Sequence, residues 1–165
     1  QQTTNLKQLK MRKTFLLSVI LIATYLSSNA QVYTGAVGLG LDLGDGFTFV
    51  GPSGKYFLAE NHAAQFDLGF EDGCTALTFL YTYHQEFDGA DGLQWLAGVG
   101  PTIVLIKDAD TQFALRPHAG LDFKIPDIPL AFSASWRPAI LLSEVGEGNR
   151  IEAGSFALGF RYAFD

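Results

Sequence analysis

Gln112-Phe113-Ala114-Leu115-Arg116-Pro117-His118-Ala119-Gly120-Leu121-Asp122-Phe123-Lys124 alternates with a period of two. Phe113, Leu115, Pro117, Ala119, Leu121 and Phe123 hold one set of positions, and Gln112, Ala114, Arg116, His118, Gly120, Asp122 and Lys124 the other. Successive side chains of a strand point to opposite sides of the sheet, so this stretch predicts a β-strand with all of its charge on one face. The same division recurs along the chain. In residues 74–87, Leu77, Phe79, Tyr81 and Tyr83 oppose Thr78, Thr82, His84 and Glu86. Leu130, Phe132, Ala134, Trp136, Pro138 and Ile140 oppose Ala131, Ser133, Ser135, Arg137 and Ala139, and Phe156, Leu158, Phe160, Tyr162 and Phe164 oppose Ser155, Ala157, Gly159, Arg161 and Ala163. Residues 63–71 set Ala64, Phe66, Leu68 and Phe70 against Gln65, Asp67, Gly69 and Glu71, and Val37, Leu39, Leu41 and Leu43 stand against Gly38, Gly40, Asp42 and Gly44.

Two further segments bring the count to eight. Residues 93–106 are apolar on both faces toward their end, and residues 47–58 are interrupted by Gly51, Pro52 and Gly54, which predicts a bulge or bend. Short clusters of Gly, Asp, Asn, Glu and Pro separate the segments, as turns require. No apolar pattern returns every three or four residues in this part of the chain, so helices are not expected.

Alternation alone does not say which face points inward. Residue size does: the charged faces are rich in Gly, Ala and Ser, which suit a narrow interior, whereas the apolar faces carry Phe, Leu, Tyr and Trp on strand after strand. Eight strands enclose only enough room for side chains to fill. The expectation is therefore an all-β, eight-stranded antiparallel up-and-down transmembrane β-barrel with both ends periplasmic. Its interior would hold a structural charge network of Asp42, Asp67, Glu71, Glu86 and Asp122 with Arg116, Lys124, Arg137 and Arg161, joined by His84 and His118. Strands inclined at about 45° cross a bilayer in 9–11 residues, and closure leaves no unpaired edge in lipid. Tyr83, Phe87, Trp95, Trp136, Tyr162 and Phe164, near segment ends, suit interfacial girdles.

The first thirty residues read differently. Arg12 and Lys13 precede an apolar run from Phe15 to Leu26, and Ser28-Asn29-Ala30 offers a small-residue cleavage site. Residues 1–30 are thus expected to be upstream residues plus a secretory signal cleaved after Ala30, leaving residues 31–165 as one barrel domain. The run is too short and too interrupted, by Ser18 and Thr24, for a transmembrane helix. Removing Lys7, Lys10, Arg12 and Lys13 takes no acid with them, so the 11 basic residues fall to 7 against 17 acidic ones, a formal charge of −10. Nucleic acid is not an expected partner of such a chain. The single Cys74 has no intramolecular disulfide partner and stands far from the cleavage site, so it reads as a small packed residue.

Chemistry is sparse. His62, His84 and His118 are the only histidines; His62 falls in an expected turn, and no set of converging ligands is apparent, so no metal or cofactor is expected. A membrane-embedded lipid-modifying enzyme would need a nucleophile beside a base on the outer wall, but Ser133 and Ser135 point inward and no histidine is expected on the apolar face. No catalysis is expected. Gly38-Leu39-Gly40 is followed by strand pattern and not by a helix, which fails the condition for a phosphate loop. General diffusion pores use 16–18 strands, so a conducting lumen is not expected either. The longest connection, residues 141–150, leaves little surface for loop-borne binding. A rival architecture is a soluble periplasmic lipocalin-like carrier, in which the apolar faces would line a ligand cavity and the arginines would face water.

Several stretches carry a resemblance: Gly54-Lys55-Tyr56-Phe57-Leu58, Leu80-Tyr81-Thr82-Tyr83-His84, Gly92-Leu93-Gln94-Trp95 and Gly98-Val99-Gly100. They are followed in order by Ile125-Pro126-Asp127-Ile128-Pro129, Trp136-Arg137-Pro138 and Gly159-Phe160-Arg161-Tyr162-Ala163-Phe164. With the signal in front, the set resembles the small outer-membrane β-barrel proteins of Bacteroidetes-type Gram-negative bacteria, over nearly the whole mature chain. The resemblance implies the outer membrane as location, with its lipid and the barrel-assembly machinery as partners. It brings no catalytic set. Asp165 follows the last aromatic, where such barrels usually end on the aromatic itself.

Overall fold

In a computed structural model of the chain, residues 33–142 and 151–164 are described. The expected signal segment, most of the 141–150 connection and Asp165 lie outside the described residues. The strands are β1 (Gly35–Gly44), β2 (Phe47–Ala59), β3 (His62–Glu71), β4 (Cys74–Glu86), β5 (Leu93–Ile106), β6 (Gln112–Lys124), β7 (Leu130–Trp136), β8 (Ala139–Leu141), β9 (Ile151–Glu152) and β10 (Phe156–Phe164). Every pairing is antiparallel. Neighbours follow the order β5-β4-β3-β2-β1-β10-β7-β6, and β5 pairs with β6, so eight strands close into a barrel. β8 and β9 are two short additions: β8 lies on β6 and β9 on β8.

The turns explain the tight meander. Asp45-Gly46 joins β1 to β2 and Asp72-Gly73 joins β3 to β4, and both glycines take positive φ, 87° and 73°. A Cβ is poorly tolerated in that conformation.

Three details depart from the sequence reading. First, β2 carries no bulge at Gly51-Pro52-Ser53-Gly54; it pairs regularly with β1 there, Leu39 opposite Pro52. The glycine serves close approach instead, since a Cβ on Gly51 would lie 1.9 Å from the Leu68 carbonyl oxygen. The register shift in β2 falls later, between Phe57 and Ala59. Second, the seventh segment is interrupted at Arg137-Pro138. Proline offers no N–H to the ladder, yet β8 resumes on β6 in the register that β7 had, which sets Pro138 opposite Pro117. Third, His62 opens β3 and is not in the turn. It stands on the outer wall, with Nδ1 2.7 Å from the Tyr81 hydroxyl and its ring stacked on Tyr81 and edge-on to Tyr83.

The two sides of the wall differ sharply. Val37 and Tyr162 are 55 % exposed, and Leu39, Phe66, Phe79, Phe156 and Phe160 are about as open. Inward positions are polar and sealed: Lys55, Arg116, Arg137 and Arg161 are each 3 % exposed, and His84 is fully buried. Large apolar side chains also point inward at some positions, Leu80 and Leu96 midway along their strands and Phe49 and Phe57 nearer the ends of β2. A compact apolar plug of Tyr33, Ala36, Phe57, Ala63, Ala131 and Ala163 closes the end where β1 begins and β10 finishes. Gly159 shows why small residues fill the inner face: a Cβ there would come within 2.4 Å of the Arg161 guanidinium and 2.5 Å of the Ser133 hydroxyl.

Candidate functional site

The inner faces of the strands bring charged groups from distant parts of the chain into two clusters. Nearest the plug, the Lys55 ammonium of β2 pairs with the Asp122 carboxylate of β6 and lies 3.1 Å from His84 Nε2 of β4. The Tyr33 hydroxyl donates to the same carboxylate at 2.9 Å, and the Phe57 ring sits 4.9 Å from the His84 ring. Desolvating a carboxylate is costly unless it is paired and hydrogen-bonded, and here one cation and one hydroxyl serve that role.

The second cluster lies toward the other end. Arg116 holds Asp42 through both terminal guanidinium nitrogens, one of them at 3.0 Å, and also donates to the Arg137 carbonyl at 2.8 Å. Arg137 donates to Asp67 at 2.7 Å and approaches Asp42 at 4.0 Å. Asp67 also accepts from Ser53 and from Gln65. Arg161 donates to the Ser53 hydroxyl at 2.9 Å and the Ser133 hydroxyl at 2.8 Å, with Asp67 3.9 Å away. A forked guanidinium can serve two acceptors at once, which suits arginine to such a crowded centre.

Of the residues expected inside, Asp42, Asp67, His84, Arg116, Asp122, Arg137 and Arg161 take part in these clusters. His118 is buried on the same inner face, and neither ring nitrogen has a hydrogen-bond partner among the described residues. Glu71, Glu86 and Lys124 stand at strand ends and are half-buried; Glu71 accepts from the Thr48 N–H at 2.9 Å. Tyr33, Ser53, Lys55, Gln65 and Ser133 belong to the network without having been singled out from the sequence. Lys55 was readable, because Ser53, Lys55 and Phe57 share the inward parity of β2, but the apparent break at Gly51-Pro52 hid it.

The centre of the barrel is filled. Beside Asp42, Asp67, Arg137 and Arg161 the free space amounts to about 20 Å³, room for one water. No group of three or more His, Cys, Asp or Glu side chains poised for a metal occurs among the described residues. The arrangement locks strands together.

No family model matches the chain, and neither does any curated protein or solved structure.

Proposed function

We propose that the protein is a small integral outer-membrane β-barrel, exported through the segment at residues 1–30, with a side-chain-filled lumen and a structural or interaction role. One observation carries the reading: the outer wall is a near-continuous apolar surface, while arginine, lysine, histidine and aspartate are sealed inside. A soluble monomer rarely exposes a contiguous apolar patch beyond a few hundred Å², because water penalises it. A bilayer removes that penalty and demands closed backbone hydrogen bonding, which the ring of eight paired strands supplies. The distribution of aromatic types supports the same reading. Exposed Tyr56, Tyr81 and Tyr162, with Tyr83 and Trp95, gather toward the end that holds the first residues of β1, where rings with one polar atom suit a lipid–water boundary.

A carrier of lipocalin type would need its apolar side chains inside, and the central lumen is instead occupied by ion pairs. A hydrolase embedded in the wall would need a nucleophile beside His62, whose Nδ1 meets the Tyr81 hydroxyl. Neither reading draws support from the arrangement.

Single cysteines at Phe132, Leu158 and Phe160 with an attached fluorophore test the proposal in reconstituted vesicles. Lipid-soluble quenchers should reach all three, and the same label at Arg137 or Arg161 should stay dark to them. Quenching only from the aqueous phase, together with recovery in the soluble fraction of cells, would reject the membrane reading.

A further inference from the structure

The inner face changes character above the Arg116–Asp42 pair. From there to the end opposite the plug, Phe49, Ala76, Val104, Ala114, Ala139 and Leu141 replace the ionic side chains and surround a cavity of about 180 Å³ that opens at that end. This is where residues 93–106 are apolar on both faces: Val104 and Ile106 point into the barrel and Leu105 points out. An apolar cavity of roughly 150 Å³ takes up benzene, so this one has room for a ring or a short alkyl chain.

Charge decides what kind of molecule that is. Glu71, the last residue of β3, and Glu152, the last of β9, line the same cavity. Both are half-buried, and neither meets a cation within ion-pair distance among the described residues. Glu71 accepts the Thr48 N–H through Oε1. The turns at this end add Asp45, Asp72, Asp108 and Asp110 against Lys107. At the floor, Arg116 is the basic side chain of the lining, and Asp42 engages both of its terminal nitrogens. The cavity is therefore oily along its walls, neutralised at its floor and negative at its mouth. Low-dielectric walls focus such a field and draw cations toward it.

We propose that this cavity binds a small amphipathic amine, its hydrocarbon body among Phe49, Val104 and Leu141 and its ammonium at the mouth on Glu71 and Glu152. An alkylamine is protonated at pH 7, as a lysine side chain is. Binding energy comes from burying the apolar body and from charge-assisted hydrogen bonds to two carboxylates that have no cationic partner among the described residues. Salt screens the attraction at the mouth, so affinity falls with ionic strength. The site is interior, so it stands or falls independently of what surrounds the wall.

Cys74, the only thiol of the chain, lines the same cavity and reports on it. With the barrel in lipid nanodiscs, or in plain buffer should it be soluble, the reaction of Cys74 with dithiodipyridine, a reagent for thiols that leaves amines untouched, is followed against hexylamine, hexanol and hexanoate. Hexylamine should slow the reaction saturably, at concentrations about tenfold below those hexanol requires, with hexanoate weakest. Glu71→Gln, which keeps an acceptor for the Thr48 N–H, and Glu152→Gln should each raise the hexylamine requirement roughly threefold and leave that of hexanol unchanged. Ala114→Phe, which fills the cavity and removes no charge, should abolish protection while leaving the heat-modifiable gel migration of the folded barrel intact. Should it not fold, the smaller Ala76→Val should weaken protection in its place. Equal protection by the three compounds, preference for hexanoate, no protection at all, indifference to both glutamine substitutions, or survival of full protection in whichever cavity-filling variant folds would each overturn the proposal.

Discussion

The two ends of the cylinder are made from the same strands and follow the same alternation, yet their inward residues solve different problems. At the plugged end, Tyr33 and Phe57 meet edge to face at 5.0 Å, and the Lys55–Asp122 pair lies directly behind them. At the far end, inward Phe49, Val104 and Leu141 leave a cavity between them. Period-two patterning decides which side of the wall a residue faces, but says nothing about how far along the strand a polar interior gives way to an apolar one. That boundary depends on which rungs of neighbouring strands coincide, and therefore on register.

The largest effect should come from the plugged end. Asp122→Ala strands the Lys55 ammonium beside His84 with no carboxylate, and breaking such a buried pair costs about 3–5 kcal/mol. Urea unfolding in micelles, read by tryptophan fluorescence, measures it, and a loss below about 1 kcal/mol would mean that water reaches Lys55. A paired truncation sharpens the contrast. Phe57→Ala removes a packed ring and should cost about 3 kcal/mol, whereas Phe49→Ala opens into space already present and should cost roughly half as much. Equal costs would mean that the far end is as tightly packed as the plug. The smallest effect belongs to the outer wall, where Tyr81→Phe deletes the hydroxyl that meets His62 and should cost about 0.5–1.5 kcal/mol at most.

Much of this architecture was legible beforehand, and for identifiable reasons. The limits of β6 coincide with the expected segment because its strict alternation leaves no other element for that stretch, and those of β5 coincide although its end is apolar on both faces, because turn residues bound it on either side. Arg116, Arg137 and Arg161 were readable as inward because each sits among alternating aromatics. What stayed hidden was pairing. Nothing in the sequence says that Asp42 meets Arg116, 74 residues on, or that Asp67 serves Arg137 and Ser53 together. Tyr33 escaped notice because it precedes the first alternating segment, and the proline interruption at Pro138 was invisible because the pattern of faces runs through it unchanged. Glu86 and Lys124 show the converse: correct parity places a side chain on the inner face, but at a strand end that face opens outward before the network begins.

β1 and β10 are neighbours in the wall, paired from Gly35 opposite Phe164 to Leu43 opposite Phe156. A cylinder whose seam joins β1 to β10 has two raw borders until the nine residues of β10 are in place. Closure of that kind is slow, since it depends on contacts spanning almost the whole length of the chain. The half-made sheet meanwhile offers those borders to any other chain, so the interval before β10 docks on β1 is the one in which mispairing with a neighbour competes with closure.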